Sequence, residues 1–420
     1  MCNSNNNNND NKRNTNTSFK SLGIGIVTTD QGMDTITVIQ NKIDNEKKNE
    51  PLFEVEGVNI KGEFKLRNKI DWGEVDKVIH EILASTDNNP FQTFKKSRLA
   101  YKSNGFTLLH MALHPSTKAP PSTVEKLIEL ANLEILMTRE KTKGSTILHY
   151  AIQYNAQDAT LKALIYEGET SLVLTQNDHG NNALHYAIKS KLSSDIISLL
   201  ISVGGKKLIT ASNSFGENPL HWAIVEGSPE AIVEYLVDKG GEMAVLGVNK
   251  SGSNLGHYAM KYKSSDNILK LLLQVGQHNL VMKANDHGIN PLHEGLISGA
   301  PDYIIKFMTT KGGKTIVNGI DKRGKNALHF ALENDASIEN IKYLIQVGGR
   351  EGILQTDNNG FNPFHFAIAK KMPNDLLKDL VKIGGDEVLT HTKTSEISKR
   401  SYLLKRKQKA AIKAYLRKLT

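Results

Sequence analysis

Eight histidines run through this chain like marks on a ruler: His110, His149, His185, His221, His257, His293, His329 and His365, spaced 39 residues once and then 36 residues six times. Glycine stands five residues before each, from Gly105 and Gly144 to Gly360, and a second glycine series from Gly168 to Gly384 keeps the same 36-residue register. Ladders in step over this length exclude one large globular core. They predict a solenoid, in which each unit buries its apolar face against the next.

A unit can be read residue by residue. Asn218 before Pro219 opens a helix, because Asn caps helix starts and Pro loses nothing where the N–H has no partner. Asn recurs at 182, 254, 290, 326 and 362, with Thr107 and Thr146 in the first two units. A short helix, "PLHWAIVE", follows. Ser194, Pro229, Ser265, Pro301 and Pro373 mark the next turn. The second helix carries Ile197, Leu200 and Ile201, the i, i+3, i+4 spacing of one buried face. The Gly-Gly pair after it supplies left-handed backbone that ends the helix. An extended stretch pinned by Val173, Ile209, Val245 and their equivalents then runs to the next glycine.

The stretches "NSFGENPLHWA" at 213–223 and "DNNGFNPFHFA" at 357–367 carry a D/N-x-x-G-x-T/N-P-L-H-x-A pattern. On these residues the chain resembles the ankyrin repeat family over residues 99–392, in about eight copies, with units longer than the usual ~33 residues. The resemblance implies an all-α, ankyrin-type helix-turn-helix solenoid with extended β-turn fingers and capping helices at both ends. It also implies a non-catalytic protein–protein interaction module or scaffold, binding an unknown partner protein on its concave face and finger loops. By that resemblance the contact positions flank the glycine and end the first helix: His179, Phe215, Glu217, Lys250, Tyr262, His287, Ile289, Arg323, Lys325 and Phe361. Phe215, Ile289 and Phe361 stand out, because apolar residues on loop tips often mark contacts.

The eight histidines read as scaffold. Packed helices lie about 8–10 Å apart, too far for rings in successive units to share a metal that each must reach within about 2 Å. The aromatic stripe after them (Tyr150, Tyr186, Trp222, Tyr258, Phe330, Phe366) reads as packing between units. Two units break the pattern: Gly256 replaces a core Leu, and Glu294-Gly295 replace an aromatic and Ala. Either a neighbouring side chain fills the space, or a soft point or pocket lies there.

Charge is concentrated at one end. Residues 393–420 hold ten Lys or Arg and one Glu, which accounts for the net charge of +9; the remaining residues carry 43 of each sign. This segment reads as a basic helix with Lys405, Arg406, Lys407, Lys409, Lys413 and Arg417. It is expected to cap the stack, or alternatively to tether the chain to an acidic partner: an anionic membrane, a nucleic acid or a calmodulin-like protein. Residues 1–20 read as a disordered Asn-rich arm and 21–60 as a small hairpin, over 22–40, with a linker. Residues 61–98 read as an N-terminal capping region built on the amphipathic stretch 71–84. A single cysteine, Cys2, fits a reducing compartment, cytoplasm with the nucleus also open. No run of apolar residues is long enough for a membrane helix, so the chain is not expected to be integral to a membrane. No nucleophile, Walker or metal-spaced motif is present. Neither a cofactor nor a small-molecule substrate is expected.

Overall fold

A computed structural model describes residues 55–58, 64–66, 69–84, 102–103 and 105–390 of the chain. The Asn-rich arm, the hairpin expected over 22–40 and the basic segment 393–420 lie outside the described residues. Val55–Val58, part of the stretch read as linker, is instead a strand paired antiparallel with Phe64–Leu66. The helix Trp72–Ala84 buries Val75, Val78, Ile79 and Ile82. Its Trp72 Nε1 donates to the carbonyl of Thr117 at 2.7 Å, and Asp76 accepts from Thr123 Oγ1 at 3.1 Å. Those bonds fasten it to the first helix pair.

Eight short-helix, long-helix pairs follow, beginning with Leu108–Leu113 and Pro121–Leu130 and ending with Pro363–Ala369 and Asn374–Gly384. Six consecutive short helices start on Asn. Long helices are capped alternately by Ser193, Pro229, Ser265, Pro301, Ser337 and Pro373, so Ser193 takes the place assigned to Ser194. The core is the apolar seam along each pair, with Leu184, Ile197, Leu200 and Ile201 as its third-unit members. The fold is an all-α helical repeat.

The Gly-Gly pair does not end the long helix in an extended stretch. Helix Ser194–Thr210 breaks at Gly205 (φ 59°, ψ −158°) and then resumes for one more turn, so Ile209 lies on helix. The two glycines have separate jobs. Gly205 sits in a region of backbone space that only glycine occupies comfortably, and a Cβ there would touch nothing within 4 Å. Gly204 has ordinary helical backbone, but a Cβ on it would come 2.7 Å from Leu208 and 3.0 Å from Val173 of the preceding unit. Close packing of neighbouring units therefore requires the first glycine, and the helix break favours the second.

That division explains why the first glycine recurs without exception from 168 to 384 while Glu169 and Gln277 replace the second. Both sit at positive φ, 48° and 44°. Strain of this kind costs about 1–3 kcal/mol. Gln277→Gly is accordingly expected to stabilise the protein by about 1 kcal/mol in urea unfolding, less than the strain because glycine also loosens the unfolded chain. A loss of stability would show that the side chain is held by contacts stronger than its strain.

Candidate partner-binding face

Six successive fingers are each organised by one Asn or Asp. Asn213 Oδ1 accepts from the backbone N–H of Phe215 at 2.9 Å and of Glu217 at 3.0 Å, which folds the chain around Gly216 at φ 81°. Asn177, Asn249, Asn285, Asp321 and Asp357 do the same. Successive fingers are tied by single backbone bonds: Ser214 donates to His179 and Lys250 to Phe215, each at 2.8 Å, and Lys322 to His287 at 3.0 Å. The tips therefore form a row.

This geometry separates the two positions flanking each glycine. The residue before it faces out: His179, Phe215, His287 and Arg323 are exposed, Phe215 by 64%. Lys250, one residue further back along its finger, is exposed as well. The residue after the glycine turns into the stack, and four of the ten expected contact positions are of this kind. Ile289 and Lys325 are buried, at 9% and 8% exposure. Lys325 reaches both oxygens of Glu333, at 2.8 and 2.7 Å, and lies 5.3 Å from the Phe366 ring. Glu217 is half-buried, accepting from Trp222 Nε1 at 3.1 Å and from the Tyr258 hydroxyl at 2.6 Å. Phe361 is half-buried and packs edge-on to His365 at 5.8 Å.

The histidines hold this row from beneath. In the third unit His185 Nδ1 lies 3.2 Å from the Asn182 N–H and 2.8 Å from its Oδ1, while Nε2 donates to the carbonyl of Glu217, 32 residues on, at 3.1 Å. His149, His257 and His329 make the equivalent bond to Asn181, Ile289 and Phe361. Each carbonyl belongs to the inward-facing finger residue of the next unit. The ring of that next unit then packs on the histidine: Tyr186 on His149, Trp222 on His185, Tyr258 on His221 and Phe366 on His329, at centroid distances of 4.8–5.4 Å. His110 and His293 sit at the same helix position. Among the described residues no group of three or more His, Cys, Asp or Glu could hold a metal ion.

The cap Asn does more than cap. Asn218 Nδ2 donates to the Ala244 carbonyl at 2.9 Å, and Asn182, Asn254, Asn290, Asn326 and Asn362 make the same bond 26 residues ahead. It ties the start of the short helix to the turn after the helix break. Six asparagines in succession, where Ser, Thr or Asp would also cap, was the available signal for this second role.

Around Glu217 the structure gathers Trp222, Tyr258 and Tyr262. Tyr262 is 42% exposed and stacks on Tyr258 at 6.0 Å. Lys189 lies 5.5 Å from the Trp222 ring and Lys261 5.7 Å from that of Tyr262. Burial pushes the half-buried Glu294 carboxyl above its usual range, and Lys261 opposes that shift. Sequence reasoning had assigned Trp222 to packing alone and had not singled out Lys189 or Lys261.

Neighbouring atoms crowd the positions where Gly256 and Gly295 interrupt the pattern. A Cβ on Gly256 would lie 2.9 Å from the Leu280 carbonyl and 3.1 Å from Pro291, and one on Gly295 would meet the Met260 methyl at 2.1 Å. Neighbours already fill the space. Gly256→Leu, which restores the residue of the other units, is therefore expected to destabilise by about 2–3 kcal/mol through overpacking. Thermal unfolding checks this, and an unchanged midpoint would mean that Pro291 can yield.

Helix pairs joined by Gly-centred fingers and pinned by buried His define a protein of stacked helical repeats. Matching against protein families identifies ankyrin repeats, described as three copies, with matches over residues 109–211 and 194–283. Residues 109–283 are ankyrin repeats, which are general protein–protein interaction modules. Comparison with curated proteins gives no match. Among the described residues no helix is long and apolar enough to cross a membrane.

Proposed function

We propose that this protein is a non-catalytic interaction module that binds a partner protein on the face carrying the finger tips and the short-helix ends, centred on Phe215, Trp222 and Tyr262. The observation that carries this reading is the pairing of an exposed Phe215 with an aromatic cluster that is already ordered. Rings held in place lose little entropy on binding, and Trp and Tyr dominate the energetics of protein interfaces. Lys189, Lys250 and Lys261 give the surroundings a positive cast that favours a partner with acidic residues at its rim.

Affinity capture from native lysate, read by mass spectrometry, tests the reading with three baits: the intact chain, a chain ending at Leu389, and Phe215→Ala/Tyr262→Ala. Phe361 is left intact because its ring supports His365. The double variant is expected to lose at least about tenfold of a protein that the truncation retains, as removal of two hot-spot rings does. Loss with the truncation alone, its circular dichroism unchanged, would assign binding to the basic tail and overturn the proposal.

A further inference from the structure

We infer a second docking site on another face: the cleft between the long helices Asp266–Met282 and Asp302–Asn318, which takes an acidic amphipathic helix from a partner protein. The cleft has a volume of about 540 Å³ and is lined on the first helix by positions 270, 273, 274, 277, 278 and 281. Positions 270, 273, 274 and 277 are i, i+3, i+4 and i+7, a strip roughly 10 Å long at 1.5 Å per residue, and His278 and Val281 continue the lining past the break at Gln277. Buried Leu273 and Val281 form its floor, and the half-buried Phe307 ring forms the opposite wall. A long apolar floor with polar edges suits a helix lying in a groove.

Charge selects the occupant. The rim carries Lys270, His278 and Lys311, and no carboxylate lines the cleft. Lys270 is paired with Asp266 one turn back, an exposed pair that holds its ammonium weakly. Lys311 has no carboxylate partner among the described residues, and its ammonium lies 5.7 Å from the Phe307 ring. One unit earlier the positions of Lys270, Gln274 and His278 are Glu234, Asp238 and Glu242. Neighbouring grooves of the same fold thus differ in sign, and only the later one suits acidic side chains. Gln277 adds an independent indication. It lines this cleft from the helix break, where five other units place glycine, and so retains a side chain at the expense of backbone strain.

The test uses the full chain and a fluorescein-labelled helical peptide of about 14 Glu, Ala and Leu residues, with Leu at i, i+3, i+4 and i+7. A twin carries Gln for every Glu, and binding is read by anisotropy. The acidic peptide is expected to bind at least about tenfold more tightly than its twin, and about tenfold less tightly to Lys270→Glu/Lys311→Glu. Gln277→Gly is expected to weaken binding severalfold, and Phe215→Ala/Tyr262→Ala to leave it unchanged. Equal binding of the twins, no binding at millimolar peptide, or undiminished binding to the charge-reversed variant overturns the inference. Loss with the Phe215/Tyr262 variant would move the peptide to the finger face and also overturn it. If the charge reversal unfolds the chain, Lys311→Ala decides, since a retained affinity there removes the cation from the site.

Discussion

Lowering the pH from 7 toward 4 is expected to reduce the melting temperature steeply, starting near pH 6.5 rather than in the carboxylate range. The cause is the row of buried imidazoles. Burial drives the pKa of His149, His185, His221, His257 and His329 down from 6.5 to about 4, and of His110 and His293 to about 3. An unfolded ring takes up its proton near 6.5, whereas the folded ring refuses it until about pH 4. Each ring's contribution is therefore complete above 6.5 and is lost progressively as the pH falls to the folded value. For His149 the full span corresponds to on the order of 3 kcal/mol.

The cap residue modulates the effect. Thr146 can turn its hydroxyl proton toward His149 Nδ1, 2.8 Å away, which completes the bonding of a neutral ring. Asn218 Oδ1, 2.7 Å from His221 Nδ1, has no proton to give and would accept one from a charged ring. Asn218→Thr is thus expected to sharpen the acid sensitivity of its unit. Circular dichroism melts between pH 7 and 4 check both points. A flat profile down to the carboxylate range would mean that the folded rings take up protons as readily as the unfolded ones.

The second large effect is expected from Asn326→Ala. Three buried interactions vanish together: Oδ1 accepting from the His329 N–H at 3.2 Å, Oδ1 beside His329 Nδ1 at 2.7 Å, and Nδ2 donating to the Gly352 carbonyl at 2.8 Å. Loss of a cap costs about 1 kcal/mol, and orphaning buried partners adds about 1–3 kcal/mol more. A total of about 3 kcal/mol is expected in urea unfolding. Asn326→Thr keeps the cap and the contact with the ring but lacks the donor to Gly352, so it separates the roles at about half that loss. If threonine proved equal to asparagine, the tie to the post-break turn would carry no stability.

The architecture was legible because its signal is multiplied. A His, a Gly and a cap residue recurring at one spacing leave no other fold class, and the second helix announces itself through Ile197, Leu200 and Ile201. The turn after the helix break was not legible. Five residues pinned by one Ile or Val look the same in a strand as in a helical turn, and nothing in "GG" shows that one glycine serves packing and the other the backbone. The candidate face was half legible for a related reason. Residues on either side of Gly216 are equally variable, yet Asn213 accepting from both N–H groups sends Phe215 out and Glu217 in. Burial of Ile289 and Lys325 follows from that turn, not from their chemistry.

The bonds that hold the units have a consequence for how such a chain can change over generations. Every tie from a helix-cap asparagine closes inside its own unit, and every histidine bond reaches only the adjacent one. A copy of one unit's coding sequence inserted beside the original would offer and receive the same bonds as its neighbours, with no distant residue having to change in concert. Duplication or loss of one such segment can therefore lengthen or shorten the array in whole steps, each a heritable change in how many finger tips are displayed.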